Sequence, residues 1–160
     1  MALTKQKLTD FVNQENALLD NAQFTEWYDL FSDDGIYWIP GSSDQTDSMS
    51  QMSIALENKL LLKLRIERLT HQRAFSLQPK VRGMRVIQAV EVKTDVVNDQ
   101  GCYVVATNVM YSEFQKPDLH VYPAKVTYQL RPKDQSWEIV EKRVDLLNVD
   151  GYLPGIQLFI

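Results

Sequence analysis

The residues from Leu119 to Arg131 alternate more strictly than any other part of this sequence. Tyr122, Ala124, Val126, Tyr128 and Leu130 fall on one side of an extended chain, and Lys125, Thr127, Gln129 and Arg131 fall on the other. A period of two marks a strand with one dry and one wet face. Such a long strand needs neighbours, and the sequence supplies one on each side. Tyr103 to Phe114 is rich in Tyr, Val and Thr and reads as the strand before it; Trp137 to Leu147 reads as the strand after it. Lys116-Pro117-Asp118 and Pro132-Lys133-Asp134-Gln135-Ser136 separate the three as turns. Upstream, Met84, Val86, Val90 and Val92 alternate with Arg85, Glu91 and Lys93, which predicts a dry face and a wet face, and Asn98-Asp99-Gln100-Gly101 turns the chain back. Strands joined by short turns predict an antiparallel meander.

The first half of the chain is helical in character. A helix starting near Thr4 carries Leu8, Phe11, Val12, Leu18 and Leu19 on one stripe. Phe24, Trp27, Leu30 and Phe31 recur at helical spacing in a second segment ending at Phe31, so an aromatic face must be covered by a sheet or another subunit. Ser32 to Gly35 reads as a polar turn, Ile36 to Ile39 as an apolar strand and Pro40 to Ser48 as an exposed loop. Met52, Ile54 and Leu56 suggest a short strand. Glu57 to Leu69 suggests a third helix with Leu60, Leu61, Leu64 and Leu69 inward, and Gln78-Pro79 breaks the chain after it. Helices first and long strands later give an α+β fold, with helices packed on one face of a long curved sheet that closes into a cone. A chain of 160 residues suits one domain, 1–160. Leu158-Phe159-Ile160 is too apolar for water and is expected to dock on the sheet or on a neighbour.

Several classes of function are disfavoured. The formal net charge of −4 argues against nucleic-acid binding, which depends on cations neutralising phosphates. No run approaches the roughly 20 apolar residues that span a bilayer, and Met-Ala-Leu-Thr-Lys-Gln-Lys lacks a signal-peptide core, so a cytoplasmic location is expected. One segment is locally basic: Lys59, Lys63, Arg65, Arg68, Arg73, Lys80, Arg82 and Arg85 outnumber the acids, chiefly Glu67. It reads either as a solvated face or as a charged docking surface for a protein partner.

The residues for metal and nucleophile chemistry are sparse. The single cysteine, Cys102, excludes a disulfide within the chain and a Rieske centre, which needs two cysteines and two histidines. His71 and His120 stand in no ligand spacing with a carboxylate, so a mononuclear iron triad is not expected either. There is no Gly-rich phosphate loop and no nucleophile elbow. Asp33 and Asp34 carry two readings: a turn before a strand, or an acid–base carboxylate at the cone mouth near Tyr28 or Tyr37.

An ordered series of motifs carries a family resemblance. Glu15-x-Ala17-Leu18-Leu19-Asp20, Phe24-x-Glu26-Trp27-x-x-Leu30-Phe31 and Gly35-x-Tyr37-Trp38-Ile39-Pro40 resemble the opening of the small (β) subunits of bacterial aromatic-ring-hydroxylating dioxygenases. Arg65-Ile66-x-Arg68-Leu69, Ala74-Phe75-Ser76-x-x-Pro79, Tyr122-x-Ala124-Lys125-x-x-Tyr128-x-Leu130-Arg131, Lys142-Arg143-Val144-x-Leu146-Leu147-Asn148 and Phe159-Ile160 continue it along nearly the whole chain. The resemblance implies an NTF2-like (cystatin-like) cone and a catalytic large (alpha) subunit as partner. That partner would hold a Rieske 2Fe-2S cluster and a mononuclear non-haem Fe(II), with electrons from NAD(P)H through a reductase, in an alpha3beta3 hexamer. It also implies that this chain holds no catalytic, cofactor-binding or metal residue.

Two functions follow as expectations. In the first, the chain trimerises and holds three catalytic subunits in register for electron transfer between neighbours. In the second, it is a stand-alone cone-fold dehydratase or isomerase, with Asp33 or Asp34, Tyr37 and His71 facing one another across an open pocket.

Overall fold

A computed structural model describes residues 2–71, 78–94 and 96–160 of the chain. Two helices lead, α1 (Ala2–Asp20) and the short α2 (Phe24–Tyr28), followed by strands β1 (Phe31–Pro40) and β2 (Ser53–Asn58). Helix α3 (Lys59–Thr70) precedes β3 (Arg82–Ile87), β4 (Glu91–Val92), β5 (Tyr103–Gln115), β6 (Asp118–Lys133) and β7 (Ser136–Leu146). The strands form one sheet in the order β2-β1-β7-β6-β5-β3, with β4 paired to β5. Strands β5, β6 and β7 form the expected antiparallel meander. Between β1 and β7 the pairing is parallel, so the sheet is mixed.

The helices lie in the hollow of this sheet. Leu8, Phe11, Val12 and Leu19 of α1 are buried with Trp27 of α2 and with the inward residues of β6, Tyr122, Ala124, Val126, Tyr128 and Leu130. The aromatic face of the second segment is therefore covered by the chain's own sheet. Trp27 packs edge-on against Phe31 at 4.9 Å and Tyr37 at 5.9 Å between ring centres.

Three expectations need correction. First, Ser32 to Gly35 is not a turn between elements. It bulges within β1, because the register to β7 slips between Phe31 and Ile36. Gly35 is required there, since a Cβ would stand 2.8 Å from the Ser32 carbonyl oxygen and 2.9 Å from that of Ile139. Second, α3 is rotated from the expected phase: Leu60 and Leu64 are 64% and 53% exposed, Leu61 is also exposed, and Leu62 and Ile66 are buried in their place. Strand β2 runs directly into the helix, and Asn58 caps it by accepting the Leu61 amide at 3.0 Å, so the junction selects the helix face from a run of leucines. Third, β3 is turned over: Met84 and Val86 point outward while Arg85 is buried. Arg85 tolerates burial because Asp20 neutralises it at 2.7 Å and the Tyr111 ring lies 4.7 Å from its guanidinium.

One irregularity in β7 decides what faces the hollow. Leu130 pairs with Ile139 and Gln129 with Glu141, which leaves Val140 as an extra residue. A single inserted residue shifts the parity of every side chain beyond it. Ile139 is inward before the bulge; Lys142, Val144 and Leu146 are inward after it.

Candidate functional site

Glu15 sits on the apolar stripe of α1 with Leu8, Val12 and Leu19, and is completely buried. Its carboxylate is fully engaged. Oε1 accepts the Trp27 indole N–H at 2.8 Å and the Lys142 ammonium; Oε2 accepts the Tyr128 hydroxyl at 2.9 Å and the Asn16 side-chain amide at 3.1 Å. These donors come from α1, α2, β6 and β7, so one carboxylate ties both helices to the middle of the sheet. Burial pushes the Lys142 ammonium down to about 8, against the opposing pull of Glu15. Burial, followed by the negative charge of Glu15, pushes the Tyr128 phenol well above its ordinary range. A carboxylate already holding four donors has no lone pair aimed at open space, so this network works as a fastening rather than a base.

A second polar cluster surrounds residues 157–160. Glu113 Oε1 accepts the backbone N–H groups of Gln157 at 2.7 Å and Leu158 at 2.9 Å. Arg65 donates to the Leu158 carbonyl at 2.7 Å, and Arg85 to the Phe159 carbonyl at 3.3 Å. The Tyr37 hydroxyl accepts the Ile160 N–H at 3.0 Å, and burial raises that phenol to about 12. Burial also raises the Glu113 carboxyl, more than its two amide donors lower it. The Phe159 ring fills the centre of the hollow, 4.5 Å from Trp27, 5.6 Å from Tyr37 and 5.8 Å from Phe24.

The groups singled out in the sequence do not converge here. Asp33 and Asp34 are exposed on the outer end of β1. Asp34 pairs with Arg131 at 3.0 Å, and hydrogen bonding from that guanidinium lowers its carboxyl from the ordinary range. Tyr37 is in the core, while Tyr28 is half-buried beneath the Lys59 ammonium, 4.1 Å from its ring centre. His71 ends α3 on the rim of a cleft of about 840 Å³ that Leu19, Phe24 and Lys80 also line, and neither aspartate reaches it. His120 lies across from Glu113 in the β5–β6 register, its ring 6.4 Å from Tyr122. Burial raises the Cys102 thiol, which is consistent with a packed strand-end residue rather than a nucleophile. The acid–base constellation of the stand-alone enzyme is thus not assembled.

The basic run from Lys59 to Arg85 divides rather than forming one surface. Arg65 pairs with Glu57 at 2.5 Å and Arg85 turns inward, whereas Lys63, Lys80 and Arg82 stay exposed. Arg73, like the Ala74-Phe75-Ser76 motif, lies outside the described residues. Among the described residues, no three His, Cys, Asp or Glu side chains gather as a metal-ligand set. No described helix is long and apolar enough to cross a membrane.

Comparison with known proteins gives a consistent picture. The family described as ring hydroxylating beta subunit matches residues 14–149. The small oxygenase component of the p-cumate 2,3-dioxygenase system of Pseudomonas putida is 24% identical over 154 residues, covering 95% of this chain and 83% of that protein. A naphthalene 1,2-dioxygenase structure superposes with a TM-score of 0.83 at 21% identity, covering 100% of this chain and 87% of the other. The beta subunit of benzoate 1,2-dioxygenase from Burkholderia mallei superposes at 0.72 with 24% identity, covering 95% of each chain.

Proposed function

The chain belongs to the ring-hydroxylating beta-subunit family, and on that premise we propose that it is the non-catalytic, assembling subunit of a Rieske-type aromatic-ring dioxygenase in bacterial catabolism. Its partner is the large, catalytic subunit of that oxidoreductase. In this reading residues 1–160 form one NTF2-like domain, whose cone is closed by its own side chains. The large subunit holds the Rieske cluster and the mononuclear Fe(II), and NAD(P)H supplies electrons through a reductase. The small chain self-associates as a trimer, sets three large subunits in an alpha3beta3 hexamer in the cytoplasm, and contributes no catalytic, cofactor-binding or metal residue.

The observation that carries this reading is the family match from residue 14 to residue 149. That span includes the whole Glu15 cluster and the Tyr37, Arg65, Arg85 and Glu113 side chains of the second, while residues 157–160 lie beyond it. The outer face supports it further. Val86 lies opposite Met110 in the β3–β5 register, with Met84 beside them and Val121 and Leu119 on the adjoining β6, and all five are exposed. A contiguous apolar patch of that kind suits burial against another subunit.

The test is reconstitution. The purified chain alone is expected to contain no iron and to turn over no aromatic substrate, and to restore or stabilise ring dihydroxylation when mixed with its large subunit. Turnover by the isolated chain would overturn the reading.

A further inference from the structure

Residues 157–160 are held in an unusual way for a piece of the same chain. They add no strand to the sheet. Their main-chain groups are instead taken by side chains from four elements: Glu113 of β5 on two N–H groups, Arg65 of α3 and Arg85 of β3 on two carbonyls, and Tyr37 of β1 on a third N–H. This is how a protein binds an extended peptide whose backbone it reads from outside, with one pocket for an anchoring side chain. The anchor is present too. Phe159 is completely buried between Trp27 and Phe24, with the Arg65 guanidinium 4.2 Å from its ring centre.

We propose that the hollow of the cone is a peptide-binding site for an extended apolar segment with an aromatic anchor, and that residues 157–160 occupy it as a tethered internal ligand. Each main-chain contact named above is independent of the side chain that the peptide carries at that position, and shape selection comes from the buried Phe159 ring, flanked by the buried Leu158 and Ile160. The segment leading into the strap borders open space: Gly155, Ile156 and Gln157 line a cleft of about 470 Å³ alongside Arg65. Being tethered, the segment competes at a high effective concentration, so a free copy is excluded while the strap is in place. The site is separate from the apolar patch on the outer sheet face, and the proposal stands or falls independently of the assembly role.

The test uses the whole chain and a synthetic peptide, Gly-Ile-Gln-Leu-Phe-Ile. In the variant Leu158→Ser/Phe159→Ser the strap loses its anchor, and the peptide is expected to bind and to change Trp27 fluorescence. The unaltered chain is expected to bind the same peptide at least about tenfold more weakly, since the occupied fraction lowers apparent affinity in proportion. A peptide N-methylated at both its glutamine and its leucine, which cannot donate to Glu113, is expected to lose most of the binding. Equal binding to both chains, or none to a variant whose circular dichroism is native, would overturn the proposal. Hydrogen exchange on the unaltered chain covers the case of a variant that does not fold. The amides of Leu158 and Ile160 are expected to open without global unfolding, and exchange of both only together with Val126 and Tyr128 of β6 would equally overturn it.

Discussion

The hollow of the cone and the outer face of its sheet follow opposite rules. Inside, two charged pairs are matched, Glu15 with Lys142 and Arg85 with Asp20, while Glu113 accepts two backbone amides at Oε1 and leaves its buried Oε2 without a partner. Outside, Met84, Val86, Met110 and Leu119 stand at least half in water. A lone folded chain is expected to reverse this pattern, since matched charge costs desolvation and exposed apolar area gains nothing. The difference teaches that the inside of this chain is filled largely by its own groups, whereas the outside leaves apolar area uncovered. Exposed apolar area of that kind suits burial against another subunit.

The contrast can be broken most severely from within. Lys142→Met removes one member of a buried ion pair and leaves the Glu15 carboxylate without its counter-charge, which is expected to cost about 3 kcal/mol or more in urea unfolding. Adding Glu15→Gln to that variant is expected to recover part of the loss, because the neutral amide oxygen still accepts from Trp27. Little or no destabilisation by the single change would mean that the pair contributes nothing to the fold. Trp27→Phe keeps most of the ring but removes the N–H to Glu15, with an expected loss of about 1–3 kcal/mol by the same measurement.

A milder intervention works through pH. The Glu113 carboxyl is raised by burial in the folded chain, so on raising pH the unfolded chain loses this proton first. Between the ordinary carboxyl value of 4.5 and the raised folded-state value the native chain binds more protons, and stability from this group falls as pH rises. Glu113→Gln is expected to flatten that slope while an amide oxygen still accepts the Gln157 and Leu158 amides. Urea midpoints from pH 4 to pH 7 would check this, and an unchanged slope would refute it. The smallest effect on stability is expected outside: Met84→Lys/Val86→Lys should stay within about 0.5 kcal/mol of the parent. The same pair of changes should visibly reduce co-purification with the large subunit, and undiminished co-purification would remove this patch from the interface.

What the sequence disclosed and what it concealed follow from how local each signal is. The alternation from Leu119 to Arg131 placed β6 and its dry face without ambiguity, because a period of two needs no knowledge of neighbours. The stripe of α1 was equally plain, and Glu15 could have been found there as the one acid at apolar spacing between Val12 and Leu19. Lys142 could not. Its inward orientation depends on the extra residue Val140, and a bulge is visible only when the partner strand's register is known. The phase of α3 was concealed by leucines on every side, and the inversion of β3 by an arginine whose partners, Asp20 and Phe159, lie far away in sequence. The apolarity of Leu158-Phe159-Ile160 pointed to docking, and the chain does bury this segment, but its place in the hollow depends on Glu113, Arg65, Arg85 and Tyr37, which are distant in sequence.

The parallel pairing of β1 with β7 has a consequence for biosynthesis. Phe31 to Trp38 has its lengthwise neighbour in Ile139 to Arg143, separated from it by β2 to β6 in the chain. While the ribosome is still making the middle of the chain, that flank of β1 and the indole of Trp27 have nothing to settle against. Contacts between such distant segments form late and slowly. Until β7 emerges the nascent chain is therefore an unfinished half-shell, and this is the interval in which a chaperone or a waiting large subunit would do most for its yield.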